Sequence, residues 1–217
     1  MSVRNHGWAG SKPAVNAAAN RPARRRPVAW LMRSLKVAAV SIGLSAASVG
    51  GYWGVVMYQG NFHAVEAGIL YRSAQPDRDD LAAAVQQHGV KSVLNLRGRN
   101  PGSFWYDEEI AASRELSLAH YDYSLSAKRV VTQQQIAEIL NIVRQAPKPL
   151  LIHCKSGSDR AGLVSALYRF ALAGAKAEDA DLELSLRYGH FPYLTSRSGA
   201  MDESFWAYVR ATPHPAE

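Results

Sequence analysis

Residues 37–58, "VAAVSIGLSAASVGGYWGVVMY", are 22 consecutive positions without a charged side chain. A helix of that length just crosses a hydrocarbon core of roughly 30 Å, so the segment divides the chain into a tail, a span and a domain. A basic run precedes it, and Tyr52, Trp53 and Tyr58 lie towards its end. This fits the positive-inside and aromatic-belt patterns better than a buried core helix would. Residues 1–36 are therefore expected as a basic, disordered cytoplasmic tail, 37–58 as a transmembrane helix or uncleaved signal anchor, and 59–217 as one globular domain. On that orientation the protein passes once through an inner or plasma membrane and holds its domain on the periplasmic or extracytoplasmic side. The segment is rich in Gly, Ser and Ala, so a secretory signal cleaved near "SAAS" is the competing reading, and it too exports the domain. Ala39, Gly43, Ala47 and Gly51 recur at every fourth position, a small-residue stripe suited to pairing two such helices into a homodimer.

The formal charge of +7 suggests nucleic acid only until it is mapped. Residues 1–36 hold eight Lys and Arg and no acid, which leaves 17 basic against 18 acidic residues elsewhere. The domain is near neutral, and no nucleic-acid face is expected on it. Its single cysteine forms no intrachain disulfide, so the redox compartment stays open.

Beyond the span, short apolar runs alternate with helical patterns. "GILYRS" (68–73), "KSVLNLR" (91–97), "LAHYDYSL" (118–125) and the wholly apolar "PLLIHC" (149–154) read as strands. "RDDLAAAVQQHG" (78–89), "DEEIAASREL" (107–116), "TQQQIAEILNIVRQA" (132–146, with Thr132 as N-cap) and "AGLVSALYRFALAG" (161–174) read as helices, followed by two more in "EDADLELSLRYG" and "DESFWAYVRA". The expected fold is a single α/β domain, a mostly parallel central sheet covered by helices on both faces and preceded by the N-terminal transmembrane helix.

Ligands of such sheets bind at the carboxyl ends of the strands, and there the only cysteine stands, in "HCKSGSDRAG" (153–162). The amides of Lys155, Ser156, Gly157, Ser158, Asp159 and Arg160 can turn around one anion, with the positive end of a helix starting near Ala161 aimed at the same point. Gly157 supplies the unusual dihedral that such a loop needs. The same environment favours the thiolate of Cys154, the attacking species. Arg160 offers a planar fork that matches two phosphate oxygens, and His153 orients the nucleophile. The alternative is a buried inert cysteine, which requires none of the surrounding features.

The "HCKSGSDRAG" stretch resembles the His-Cys-five residues-Arg signature of cysteine-dependent protein tyrosine and dual-specificity phosphatases. "GILYRSAQP", "SVLNLRG" and "RYGHF" (187–191) extend the resemblance to compact bacterial and fungal members, over about residues 61–210. It implies hydrolysis in two steps through a cysteinyl-phosphate, with no metal or other cofactor, Cys154 as nucleophile and Arg160 with the loop amides as phosphate cradle. It also implies an aspartic acid that protonates the leaving oxygen. The stretch 124–132, where the family's acid is expected, contains none, so the candidates are Asp159, as in myotubularin-like phosphatases, and Asp122. The bland roles are a loop brace for Asp159 and a solvent-facing strand position for Asp122. Ala161 stands where the family commonly has Ser or Thr to stabilise the released thiolate, so a slow second step is expected unless Ser158 or Ser165 substitutes.

Lys155, Lys128 and Arg129 add cations at the loop and rim, or are ordinary solvated surface charges. Phosphorylated protein is the leading substrate and a phosphorylated lipid or glycolipid at the membrane the second. A non-catalytic phosphate-binding pseudophosphatase and a thiol-redox or sulfur-transfer protein are the remaining readings. The retained pair of Cys154 and Arg160 argues against both.

Overall fold

A computed structural model of the chain describes residues 26–193 and 195–212. Most of the expected basic tail, residues 1–25, lies outside these. The chain divides between Ala47 and Ser48 into two compact units. The dividing point falls within helix α1 (Arg26–Tyr58), whose stretch Trp30–Val56 is long and apolar enough to cross a membrane by length and composition. The helix outruns the uncharged segment at its N-terminal end, where Pro27 in the first turn costs no intrahelical hydrogen bond. In the N-terminal unit Trp30, Leu35, Val37 and Ile42 are exposed.

The second unit is a five-stranded sheet in the order β1-β2-β5-β3-β4. Strand β1 (His63–Glu66) is antiparallel to β2 (Leu70–Ser73), and β5 (Leu150–His153), β3 (Ser92–Asn95) and β4 (Ala119–Asp122) continue it in parallel. The sequence gives no sign of β1, because its register shifts between Ala64 and Glu66 and no residue of it is buried.

Period-two alternation sends neighbouring side chains to opposite faces. Leu70, Leu94, Leu150 and Ile152 enter one core, with Ile139 of α4 (Gln133–Gln145), Leu167 of α5 (Asp159–Ala171) and Phe205 of a C-terminal helix. Tyr71, Val93 and Leu151 enter the other, with Leu81 of α2 (Arg78–His88) and Ala112 of α3 (Phe104–Glu115). Helix α4 buries Ile136, Ile139, Leu140 and Val143, the one-faced spacing that the sequence predicts.

Several expected boundaries move, among them the start of α3, at Phe104 rather than Asp107. Helix α5 starts at Asp159 rather than Ala161 and ends at Ala171, so Asp159 and Arg160 belong to its first turn. "EDADLELSLRYG" is not one helix but α6 (Ala177–Asp181) and a 3-10 turn, Leu186–Tyr188. The break falls where Glu183 turns inward to a buried arginine. The last helix, α7 (Gly199–Ala211), starts earlier than "DESFWAYVRA".

Thr132 caps α4 as expected: its hydroxyl accepts from the Gln135 amide at 3.2 Å, and the Gln135 side chain accepts in return from the Thr132 amide at 3.1 Å. Loss of such a cap costs about 1 kcal/mol. Thr132→Ala is therefore expected to lower the unfolding free energy by that amount, read as a lower urea midpoint with an unchanged slope, and an unaltered midpoint would show the cap to be idle.

Candidate active site

The last residue of each parallel strand is polar. Ser73 and Asn95 flank His153 in register, and Asp122 lies beyond Asn95, so the carboxyl edge of an otherwise apolar sheet carries a row of hydrogen-bonding groups. Cys154 follows His153 and is buried.

The loop after Cys154 is shaped through its carbonyls. The Lys155 carbonyl accepts from the Gln75 amide at 3.3 Å and the Ser156 carbonyl from Asn61 Nδ2 at 2.8 Å. Arg72 Nη2 donates to the carbonyls of Gly157 at 2.7 Å and Ser158 at 3.0 Å. With four successive carbonyls pulled outward, the amides face the other way. Among the described residues no backbone carbonyl accepts from the amides of 155–160, which leaves them for an anion in front of the first turn of α5.

Two glycines make this packing possible. Gly157 has φ +73°, and a Cβ there would lie 2.8 Å from the Ala74 nitrogen. Gly162 lies so close to α6 that a Cβ would meet the Glu183 carbonyl at 2.9 Å and Arg72 Nη2 at 3.2 Å.

Arg72 is fully buried, with Nη1 donating to both the carbonyl and the carboxylate of Glu183 at 2.8 Å and Tyr188 stacked 4.1 Å from the guanidinium carbon. Burial lowers its pKa, and the Glu183 charge opposes that shift. Asn61, also buried, links the loop to the "RYGHF" segment by donating to the Tyr188 carbonyl at 2.9 Å.

A second network lies on the other side of His153. Its Nε2 is 3.0 Å from Oε1 of the buried Glu109, and His120 Nε2 meets the same oxygen at 2.6 Å. Gln75 Nε2 donates to the other oxygen, Oε2. Burial alone would push the Glu109 carboxyl up, but these hydrogen bonds and the His153 charge outweigh it and hold the group at about 2. Gln75 Oε1 in turn accepts from Arg97 Nη1 at 2.7 Å.

Of the expected site residues, Arg160 is half-buried, with Nη1 at 3.3 Å and 3.4 Å from the carbonyls of Leu96 and Leu125, which brings its guanidinium to the ends of β3 and β4. Lys155 is exposed, Ser156 half-buried and Ser158 buried. Asp159 Oδ1 meets Nδ1 of the buried His190 at 2.7 Å, and Asp202 Oδ2 meets the other ring nitrogen at 2.9 Å. Burial lowers the His190 pKa, but both carboxylates overcome it and raise it to about 9. Asp122 is occupied on both oxygens, by Asn95 Nδ2 at 2.9 Å and the Tyr106 hydroxyl at 2.7 Å.

Ala161 is buried. Of the two serines proposed to replace a hydroxyl there, Ser165 is committed, donating to the Ala161 carbonyl at 2.7 Å, whereas Ser158 comes only within 3.5 Å of the Ser156 carbonyl. Lys128 and Arg129 are exposed, and Arg129 lines a cavity of about 300 Å³ that includes Leu125. No group of three or more His, Cys, Asp or Glu residues among those described is arranged to hold a metal ion.

Sequence reasoning assigned no role to Arg72, Glu109, Asn61 or His190. Arg72 left a signal as a charge inside the apolar run "GILYRS", and His190 lies within the "RYGHF" segment; Glu109 and Asn61 left none.

Known proteins resemble the chain in sequence and in fold. Dual specificity protein phosphatase TpbA of Pseudomonas aeruginosa (strain UCBPP-PA14) is 33% identical over 110 residues, covering 48% of this chain and 44% of that protein. The chain thus spans less than half the length of that curated relative. Among solved structures, the core catalytic domain of the PP-IP phosphatase SIW14 from S. cerevisiae superposes with a TM-score of 0.54 at 21% identity, over 70% of this chain and 89% of that one. A mutant form of Tk-PTP gives 0.51 at 16% identity, over 70% and 97%. Both likenesses are of fold. Residues 49–183 match the model of the tyrosine phosphatase family, which takes in the Cys154 loop, Arg72 and Glu109, and the chain belongs to that family.

Proposed function

We propose that the protein is a cysteine-dependent phosphomonoester hydrolase of the tyrosine or dual-specificity type. The observation that carries this is the outward bonding of the loop carbonyls from Lys155 to Ser158, which leaves the loop amides available to an anion beside Cys154. In the first step the Cys154 thiolate attacks phosphorus and the bond to the leaving oxygen breaks. The phosphoryl oxygens are held by the amides of Lys155, Ser156, Gly157 and Ser158 and by Arg160, whose charge follows them into the transition state. Water then attacks the cysteinyl-phosphate, releasing inorganic phosphate and the thiolate.

Asp159 is the proposed acid. Asp122 has both oxygens taken, whereas Asp159 gives one to His190 and its Oδ2 has no protein partner among the described residues. His153 is a positioning residue, held by Glu109.

Phosphorylated protein is the proposed substrate class, supported by the curated relative being named a protein phosphatase. The apolar stretch Trp30–Val56 and the basic run before it support a single-pass anchor with the domain outside the cytoplasm.

Three measurements test this reading. The full chain is expected to hydrolyse an aryl phosphate, with Cys154→Ser at least about 10³-fold slower; activity that survives the substitution would overturn it. For Asp159→Asn, turnover is expected to drop about 10²-fold on an alkyl phosphate and much less on a p-nitrophenyl ester, whose leaving group needs no proton. Equal losses on both would reduce Asp159 to a loop brace. Because Ala161 brings no hydroxyl to the released thiolate and Ser165 is committed to the Ala161 carbonyl, rapid quench is expected to catch a burst of phospho-enzyme; product formed linearly from time zero would refute a slow second step.

A further inference from the structure

Arg97 lies just beyond β3, one residue after the Leu96 carbonyl that Arg160 reaches. Its backbone is fixed by the buried Asn95, whose Oδ1 accepts from the Arg97 amide at 2.8 Å and whose Nδ2 donates to the Gly98 carbonyl at 3.1 Å. The side chain is fixed as well. Its guanidinium carbon lies 3.4 Å from the centroid of the Trp105 ring, and Nη1 donates to Gln75 Oε1, itself anchored by Glu109.

What this rigid cation lacks is an anion. Arg72, Arg78 and Arg169 each pair with a carboxylate, whereas among the described residues neither Arg97 nor Arg160 has one within salt-bridge distance. Burial lowers the pKa of Arg97 and the neighbouring charge of Arg160 lowers it further, while the charges of Glu109 and Cys154 raise it, so the four groups share one electrostatic environment. The one carboxylate whose charge reaches Arg97, Glu109, is already engaged by His153, His120 and Gln75, so the two like charges are only partly compensated in the empty protein, at a cost in free energy. An arriving anion would offset that cost, and a stacked guanidinium with its remaining N–H groups unengaged is preorganised to bind one in two-pronged fashion.

We propose that Arg97 is a specificity residue of this site, which binds a second anionic group, phosphate or carboxylate, carried by the substrate beside the phosphate that Cys154 attacks. This rests on the phosphatase reading above. It adds that substrates with two neighbouring anionic groups are preferred over simple monoesters, and that Trp105 and Gln75 set the geometry of the second contact.

The test is calorimetric binding to the full chain in detergent, in a Cys154→Ser background that prevents turnover. The probes are inorganic phosphate, pyrophosphate with its second phosphate, and phosphonoacetate with its carboxylate. With Arg97 present, at least one doubly anionic probe is expected to bind about tenfold or more tighter than phosphate, and the better probe identifies the group that is read. Arg97→Ala is expected to bring that ratio close to one, and Arg97→Lys to restore little of it, since Lys neither stacks nor forks in the same way. Should Arg97→Ala fail to fold, Trp105→Leu removes the stacking platform instead and is expected to lower the same ratio. Phosphate binding with a ratio indifferent to Arg97, or fully kept by Arg97→Lys, would overturn the inference alone. Absence of any anion binding, together with an inactive Cys154 enzyme, would overturn the phosphatase reading with it.

Discussion

Everything in front of Cys154 depends on a buried guanidinium behind it. Arg72 rises from β2 into the interior and is held by Glu183 on one side, while on the other it holds the carbonyls of Gly157 and Ser158. A charge without solvent needs every donor used, and its four polar contacts come close to that, with Nε the one atom left unpaired. Removing one member of such a pair typically costs about 3–5 kcal/mol. Arg72 satisfies two of the loop carbonyls in an interior where water cannot, which lets the loop amides turn the other way.

Glu109 does the corresponding work for side chains. One carboxylate gathers His153 from β5, His120 from β4 and Gln75 from the loop after β2. Because three donors converge on it, the carboxylate stays ionised with its pKa held at about 2 and keeps all three in place across the ordinary pH range. The loop is thus fixed from two independent directions, its carbonyls by Arg72 and Asn61 and its neighbours by Glu109.

Local chemistry is what the sequence exposes. The parallel strands, Thr132 as a cap, the one-faced helix α4 and the Cys154 to Arg160 loop all depend on residues a few positions apart, and each was legible. Glu109 and His153 are 44 positions apart and Arg72 and Glu183 are 111 apart, and no periodicity marks two such residues as partners. The edge strand β1 was missed for a different reason: its half-exposed side chains carry no apolar alternation. "EDADLELSLRYG" has helical composition throughout, but the tertiary demand of Arg72 for Glu183 overrides that propensity.

The early start of α5 alters the position of Asp159 more than two residues suggest. In the first turn of a helix a carboxylate is favoured by the same dipole that attracts the substrate phosphate, so an unshielded Asp159 would compete with the ligand for the positive end. His190 lies against it as a buried cation, its pKa near 9 because two carboxylates share it. Asp202 meets the opposite ring nitrogen and shares that cation with Asp159. One imidazole between two carboxylates therefore offsets the charge of Asp159 and engages its Oδ1, leaving Oδ2 without a protein partner among the described residues.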